Sequence, residues 1–242
     1  MRRRGLGVGV ALLVPAVGLG VAACGSSSST QAATTTSAAA TTAKASGSGG
    51  FAGHAASGGD SNARSTDAAG GALGTVTSVT SSGFTLSPPG GGAVTVKETS
   101  STVYEQGAGT QKSSASAVTK RTEVLVLGKV NSTTITATQV LIKPNINLKT
   151  ASANVISFQQ GESGSTKSVG QIPKDYTQGS GKLVSGTKAN EAIEAALKSY
   201  AGGVIDRVVQ LGSGEYEVHH IGVNWPHHIF VNKNFKVVGA ND

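Results

Sequence analysis

The stretch that decides the fold of the C-terminal part is Ser185–Gly203, with the sequence SGTKANEAIEAALKSYAGG. Thr187 is a suitable N-cap, because its hydroxyl oxygen can accept a hydrogen bond from a backbone N–H of the first turn. Gly202 and Gly203 supply a left-handed stop. Apolar side chains recur between these signals at helical spacing, which predicts a helix with one apolar face: Ala189, Ile193, Ala196, Leu197 and Tyr200.

Short runs rich in β-branched residues follow this helix and predict strands: VIDRVVQL, EYEVHHIGV, HIFVN and FKVVG. Residues 212–214 (GSG) and 232–234 (NKN) are suited to the turns between them. One helix must bury its apolar face, and an antiparallel sheet offers the surface for it. We therefore expect an α+β domain over residues 181–242, with one helix on an antiparallel sheet.

This order of elements resembles a PepSY domain. The resemblance rests on AIEAALKSYAG in the helix, YEVH in a following strand and VNKNFKVVG in the last strand. The segment GVNWPHH, residues 222–228, departs from the commoner pattern, which has a tight charged turn there. PepSY domains occur as propeptide-like inhibitors of secreted peptidases and as exported modules of unknown role. The resemblance therefore implies a non-catalytic interaction module and brings no active site with it.

The region before the helix predicts a second folded unit, an all-β small barrel or sandwich at residues 71–147. GTVTSVTSSGFTLSPPGGGAVTVKET alternates apolar and polar residues between turn signals, and TEVLVLGKV and TTITATQVLI continue the pattern. These motifs resemble a small uncharacterised β-domain of exported bacterial proteins. Residues 148–180 are rich in Gly, Ser, Thr and Lys, with one apolar patch at Val155–Phe158. We expect a linker there that lays one strand against a domain.

The first residues of the sequence have the pattern of an export signal. Arg2, Arg3 and Arg4 precede an apolar run, and this layout predicts an export signal rather than a spanning helix. The sequence VAAC that ends at Cys24 resembles a bacterial lipobox, which implies cleavage before Cys24 and acylation of its thiol. We expect a lipoprotein signal peptide at residues 1–23 and a mature protein held by acylated Cys24 in the cell membrane, on its extracytoplasmic face.

Residues 24–70 are dominated by Ser, Thr, Ala and Gly and have almost no large apolar side chain. Such a segment cannot offset its ordering entropy by burial, so we expect a disordered tether. Loss of residues 1–23 lowers the formal net charge from +7 to +4, because three arginines leave with them. The remaining lysines are scattered, and this excludes the basic stripe that a nucleic-acid partner requires.

The sequence offers little chemistry for catalysis. It contains no G-x-S-x-G motif, and GSGKLVSG lacks the spacing of a phosphate-binding loop. Acylation of Cys24, the one cysteine, leaves no free thiol. Nothing places two carboxylates together as an acid–base pair. We therefore expect neither enzymatic activity nor a cofactor.

Four of the five histidines form two doublets in EVHHIGVNWPHHIF, Glu217–Phe230. A hairpin that turns at Val223–Asn224 collects the apolar residues of both strands on one face, which favours this register. One histidine of each doublet then points toward the helix and the other toward solvent. The register opposes the histidines in two pairs: His219 with His228, and His220 with His227.

The solvent-facing pair, His219 and His228, is close enough to share a metal ion. Zinc sites use three or four protein ligands, however, and Glu217 reaches this pair only by bending around its strand. Binding of a peptide or protein is the competing interpretation, with Trp225 and Phe230 as aromatic contacts.

The sequence thus predicts an exported, lipid-anchored envelope protein that acts as a non-catalytic interaction module. An envelope protein is the expected partner, and a peptidase is the class that the PepSY resemblance implies. The alternative is an envelope lipoprotein that binds zinc or copper with low affinity through the C-terminal histidine doublets.

Overall fold

The computed structural model describes residues 67–162 and 165–242. The predicted signal peptide, Cys24 and the predicted tether up to residue 66 lie outside the described residues. The helices are α1 (Leu148–Ser152) and α2 (Thr187–Ser199), with a 3-10 turn at Ala115–Ala117. The strands are β1 (Ala68–Thr80), β2 (Gly83–Ser87), β3 (Val94–Lys97), β4 (Val103–Gln106), β5 (Gln111–Lys112), β6 (Glu123–Asn131), β7 (Thr134–Ile142), β8 (Ile156–Ser157), β9 (Val169–Gly170), β10 (Lys182–Leu183), β11 (Val204–Gln210), β12 (Tyr216–Ile221), β13 (Val223–Trp225), β14 (His228–Val231) and β15 (Val237–Asn241).

A closed barrel of five strands forms the N-terminal part of the described chain. Its order is β1-β2-β3-β7-β6 and back to β1. The pairing of β3 with β7 is parallel and the other four pairings are antiparallel, so the barrel is mixed. The inward residues are the alternating apolar ones that predicted the strands, and all are buried: Val76, Phe84, Leu86, Val94, Val96, Val124, Val126, Val130, Ile135 and Val140. The predicted small β-barrel is confirmed.

Strand β1 belongs to the barrel and also joins it to the C-terminal strands. It pairs with β6 along Ala68–Thr75, with β2 beyond that point, and at Gly71 with Ile205 of β11. A Cβ on Gly71 would lie 2.4 Å from the carbonyl oxygen of Val126, so only glycine lets these backbones approach so closely. The strand begins at Ala68, three residues before the expected start at Gly71.

The C-terminal strands β11, β12, β14 and β15 pair in that order, all antiparallel. Helix α2 packs on one face of this sheet with its apolar stripe, and the predicted stripe residues are all buried. The same cluster contains Leu73, Leu125 and Leu127, so the helix also covers the outside of the barrel. The N-cap of α2 is Gly186, not the predicted Thr187, which is instead the first helical residue.

Barrel and C-terminal sheet therefore share one strand and one apolar cluster. The connection between them, expected as a linker over residues 148–180, contains α1, β8 and β9. Strand β8 pairs with β13 and β9 pairs with β15, so this connection is laid along the fold rather than held apart from it. Within residues 67–162 and 165–242, neither helix has the length and apolar character needed to cross a bilayer.

Candidate functional site

Three of the four doublet histidines lie on the paired strands β12 and β14, and His227 directly precedes β14. Strand β12 pairs with β14 so that His219 lies opposite His228, and the backbone N–H of His220 donates to the carbonyl oxygen of His227 at 2.7 Å. The predicted tight turn at Val223–Asn224 is wrong. Residues 223–225 form β13, which leaves the hairpin to pair with β8, and a cis Trp225–Pro226 bond precedes the return strand.

Two imidazole–carboxylate pairs form the site, which we call the acid–histidine cluster: Asp206, Glu217, His219 and His228. The Nδ1 atom of His219 lies 2.5 Å from Oδ1 of Asp206, and Nδ1 of His228 lies 2.8 Å from Oε1 of Glu217. The two imidazole rings are 5.3 Å apart between centroids and are tilted by 56°. Because carboxylates accept, each Nδ1 donates, and each ring keeps its Nε2 for another contact.

The cluster is buried, although the sequence predicted this face to meet solvent. His219, His228 and Glu217 are all buried, and Phe230 beside them is fully enclosed. Tyr176, from the connection before β10, covers the face: its ring centroid is 4.7 Å from that of Phe230 and 5.6 Å from that of His228. The prediction of a solvent-facing pair failed because the connection that carries Tyr176 has few apolar residues, and its path therefore cannot be predicted from the sequence.

The structure corrects the sequence prediction at Glu217 and adds Asp206, which the sequence did not predict. Glu217 was expected to reach the histidines only by bending around its strand, which is wrong. Residues 217, 219 and 228 share one face, and the Glu217 carboxylate contacts His228 directly. Asp206 was not predicted. The register of β11 against β12 shifts between Ile205 and Arg207, and this bulge at Asp206 accompanies its contact with His219.

The available signal for Asp206 was a charged pair, Asp206-Arg207, inside an otherwise apolar strand. Charged residues are rarely buried unless they are paired. Arg207 is itself buried, with Nη1 3.9 Å from Oδ2 of Asp206, and it lies opposite His219 in the register. The face therefore carries two carboxylates and one guanidinium next to the two imidazoles.

The other member of each doublet has a different environment. His220 is completely buried, and its Nε2–H donates to the carbonyl oxygen of Gly202 at 2.6 Å. Burial lowers the pKa of His220 from 6.5 to about 4, because the protonated ring would lose its hydration, and the Gly202 contact offsets only part of this. The side chain of His227 is 27% exposed, with Nε2 4.0 Å from Oδ1 of Asp242.

Trp225 and Phe230, the predicted aromatic contacts for a partner, have their rings inside the protein. The indole Nε1 of Trp225 donates to the carbonyl oxygen of Lys167 at 2.8 Å, and the Lys167 ammonium lies 4.4 Å above the ring. Tyr200 at the end of α2 meets the same indole edge-on. Neither aromatic ring is available as a surface contact in this arrangement, so any partner must meet other residues.

An open recess of about 630 Å³ lies where β1 begins, beside β10 and the first turn of α2. Leu183, a lining residue, is 47% exposed. Lys129 and Asp67 place opposite charges on its rim. The recess is therefore mixed in polarity and has one prominent apolar contact.

No three histidine, cysteine or acidic side chains converge in the described ranges in a way that could hold a metal ion. The acid–histidine cluster thus offers two imidazole nitrogens as ligands. Cys24, the predicted lipidation site, is outside the residues that the structure describes.

The fold and the cluster define a mostly β protein with a closed barrel and a helix-covered sheet. No protein-family model, curated protein or solved structure matches the chain. The PepSY resemblance accordingly stays a prediction from the motifs.

Proposed function

We propose that this chain is an exported, lipid-anchored protein of the cell envelope whose folded part binds another protein and catalyses no reaction. The observation that carries the proposal is the order of its parts. A lipobox-like VAAC ends at Cys24, a Ser/Thr/Ala/Gly-rich segment follows, and a compact unit begins at Ala68. This order is suited to holding a domain at a distance from the membrane surface while leaving it free to meet a partner.

The PepSY resemblance indicates the class of partner. One helix on an antiparallel sheet, from α2 to β15, is the architecture that this resemblance implies, and the observed pairing of β11, β12, β14 and β15 supports it. Since propeptide-like PepSY domains restrain secreted peptidases, an exported peptidase is the partner that we propose. The contact holds the partner and requires no reacting group of this chain.

We place the contact at the recess beside α2. Its apolar contact, Leu183, lies on β10, an edge strand of two residues that pairs with β11 alone among the described strands. An edge strand can accept a partner strand through its unpaired backbone groups, and an exposed leucine adds apolar area to such a contact. Trp225 and Phe230 are not used, because their rings are enclosed.

The anchoring part of the proposal is tested by Cys24→Ser. The wild-type chain should sediment with membranes and dissolve in detergent, whereas Cys24→Ser should be found in the soluble envelope fraction. Metabolic labelling with a fatty acid should mark the wild type alone. Retention of the Cys24→Ser chain in the membrane fraction, without label on either chain, would refute acylation as the anchor.

The binding part is tested by cross-linking in intact cells followed by identification of the captured protein. We expect Leu183→Asp to lower the yield of a cross-linked peptidase at least tenfold, because it places a charge on the apolar contact. Val79→Asp is the matched control, since Val79 is 48% exposed but does not line the recess. Equal yields from the two variants would remove the recess as the contact, and capture of no envelope protein by the wild type would contradict the proposed function.

A further inference from the structure

We propose that His219 and His228 form a two-histidine site for a divalent transition-metal cation, bound through Nε2 of each ring and oriented by Asp206 and Glu217. This inference does not depend on the proposed partner, because the acid–histidine cluster and the recess share no residue. Zinc(II) and copper(II) are among the cations that imidazole ligands suit.

The spacing of the rings fits one shared ion. A metal lies about 2.0–2.1 Å from an imidazole nitrogen and hence roughly 3.2 Å from the ring centroid. Two rings that hold one ion at a tetrahedral angle then have centroids about 5.2 Å apart. The observed separation between the rings of His219 and His228 is 5.3 Å. The strand register enforces this proximity, since the two residues are directly opposed on β12 and β14.

The Nδ1 contacts supply the second feature of a metal-binding histidine. A ligating imidazole usually donates its other N–H to a carboxylate, which fixes the tautomer and turns the remaining nitrogen toward the ion. Both histidines have this contact: His219 with Asp206 at 2.5 Å and His228 with Glu217 at 2.8 Å. Because the carboxylates occupy Nδ1 of both rings, Nε2 is the nitrogen that each ring offers to a cation.

The charge of the face favours a cation. With neutral imidazoles, Asp206 and Glu217 outnumber the guanidinium of Arg207, so the net charge is negative. Only two protein ligands converge among the described residues, so water or a small anion completes the coordination. We therefore expect an affinity well below that of a structural zinc site with four protein ligands.

The test uses the full chain with Cys24→Ser, so that the thiol cannot act as a ligand. Copper(II) is added and followed by electron paramagnetic resonance, and zinc(II) binding is measured by calorimetry. We expect one ion per chain, a spectrum split by two nitrogens, and dissociation constants tighter than millimolar. His219→Ala and His228→Ala should each weaken binding at least tenfold, and Glu217→Gln and Asp206→Asn by about 10–100-fold.

His227→Ala is the matched control, because it removes a histidine of the second doublet that is not part of the acid–histidine cluster and whose Nε2 lies 4.0 Å from Oδ1 of Asp242. It should bind both metals like the parent chain, as should His54→Ala. If an alanine variant fails to fold, Glu217→Gln carries the test, since it keeps the shape of the side chain. Binding weaker than millimolar would overturn the proposal. The proposal would also be overturned if Glu217→Gln left the metal affinity unchanged and His227→Ala or His54→Ala abolished metal binding.

Discussion

Acidification is expected to destabilise this protein through one residue, His220. The ring is completely buried, its Nε2–H is used by the carbonyl oxygen of Gly202, and its Nδ1 has no hydrogen-bond partner within the described residues. Protonation of Nδ1 would therefore create a buried cation without a compensating acceptor. The neighbouring His219 and His227 also oppose that charge, whereas the Gly202 contact and Asp206 favour it but do not outweigh the effect of burial on the pKa.

The magnitude follows from the two pKa values. His220 has a pKa of about 4 in the folded chain, against 6.5 in the unfolded chain. At pH 7 both states are mostly neutral, so nothing is lost. As the pH falls below 6.5, the unfolded chain binds a proton that the folded chain refuses until about pH 4. Each unit of pKa difference is worth about 1.4 kcal/mol, so the loss reaches about 3 kcal/mol in total, of which about 2 kcal/mol is present by pH 5.

The assay is urea unfolding of residues 25–242 at pH 7 and pH 5, with EDTA present so that no metal occupies the neighbouring cluster. His220→Leu leaves the Gly202 carbonyl unsatisfied and should cost about 1–3 kcal/mol at both pH values. Between pH 7 and pH 5, however, it should lose about 2 kcal/mol less than the wild type, because the titrating ring is gone.

His227→Asn is the control for this experiment. His227 pairs with His220 through its backbone, but its own side chain is partly exposed to solvent. This variant should retain most of the pH dependence of the wild type, because burial rather than the charge of His227 is the main cause of the lowered pKa of His220. The reasoning is refuted if His220→Leu loses as much stability on acidification as the wild type, because some other group would then be responsible.

Three further predictions concern how barrel and sheet are joined, all checked by chemical unfolding. Gly71→Ala should destabilise the fold by about 1–3 kcal/mol, because its Cβ would press on the Val126 backbone. Gly212→Ala should change stability little, because its Cβ meets only one side-chain oxygen, Oδ2 of Asp175 at 3.2 Å. Ile193→Ala, at the centre of the shared cluster, should cost about 2–5 kcal/mol, and exposed Glu191→Ala on the same helix less than about 0.5 kcal/mol. Residues 67–147 alone should bind a hydrophobic dye and unfold at lower urea than the whole chain, and equal midpoints would contradict a shared core.

The elements and the strand register could be predicted because their signals are local. Alternation of apolar residues placed β12 against β14 correctly, and helical spacing identified the buried residues of α2 apart from Ala192. The joining of the two parts had no such signal. A glycine such as Gly71 is compatible with the start of a strand or with a close approach of two strands. Its pairing with Ile205, far along the chain, shows that the second holds here.

The pairing of His219 with His228 could be predicted from the sequence, but the other contacts of the acid–histidine cluster could not. Strand alternation requires that His219 and His220 lie on opposite faces, and opposed pairing brings His219 to His228. What each histidine then does depends on groups that alternation cannot supply, namely a bulge that brings in Asp206 and a covering ring from Tyr176.

Two consecutive histidines consequently have opposite chemistry. His219 has a carboxylate at Nδ1 and a second imidazole beside it, which is the arrangement on which the proposed cation site rests. His220 has a carbonyl at Nε2, no partner for Nδ1 in the described chain, and a pKa lowered by burial, so it excludes positive charge. A metal titration and an acid titration should therefore report on different residues. His219→Ala should weaken the metal response at least tenfold, and His220→Leu should diminish the acid response while the carboxylate–imidazole pairs on the other face stay intact.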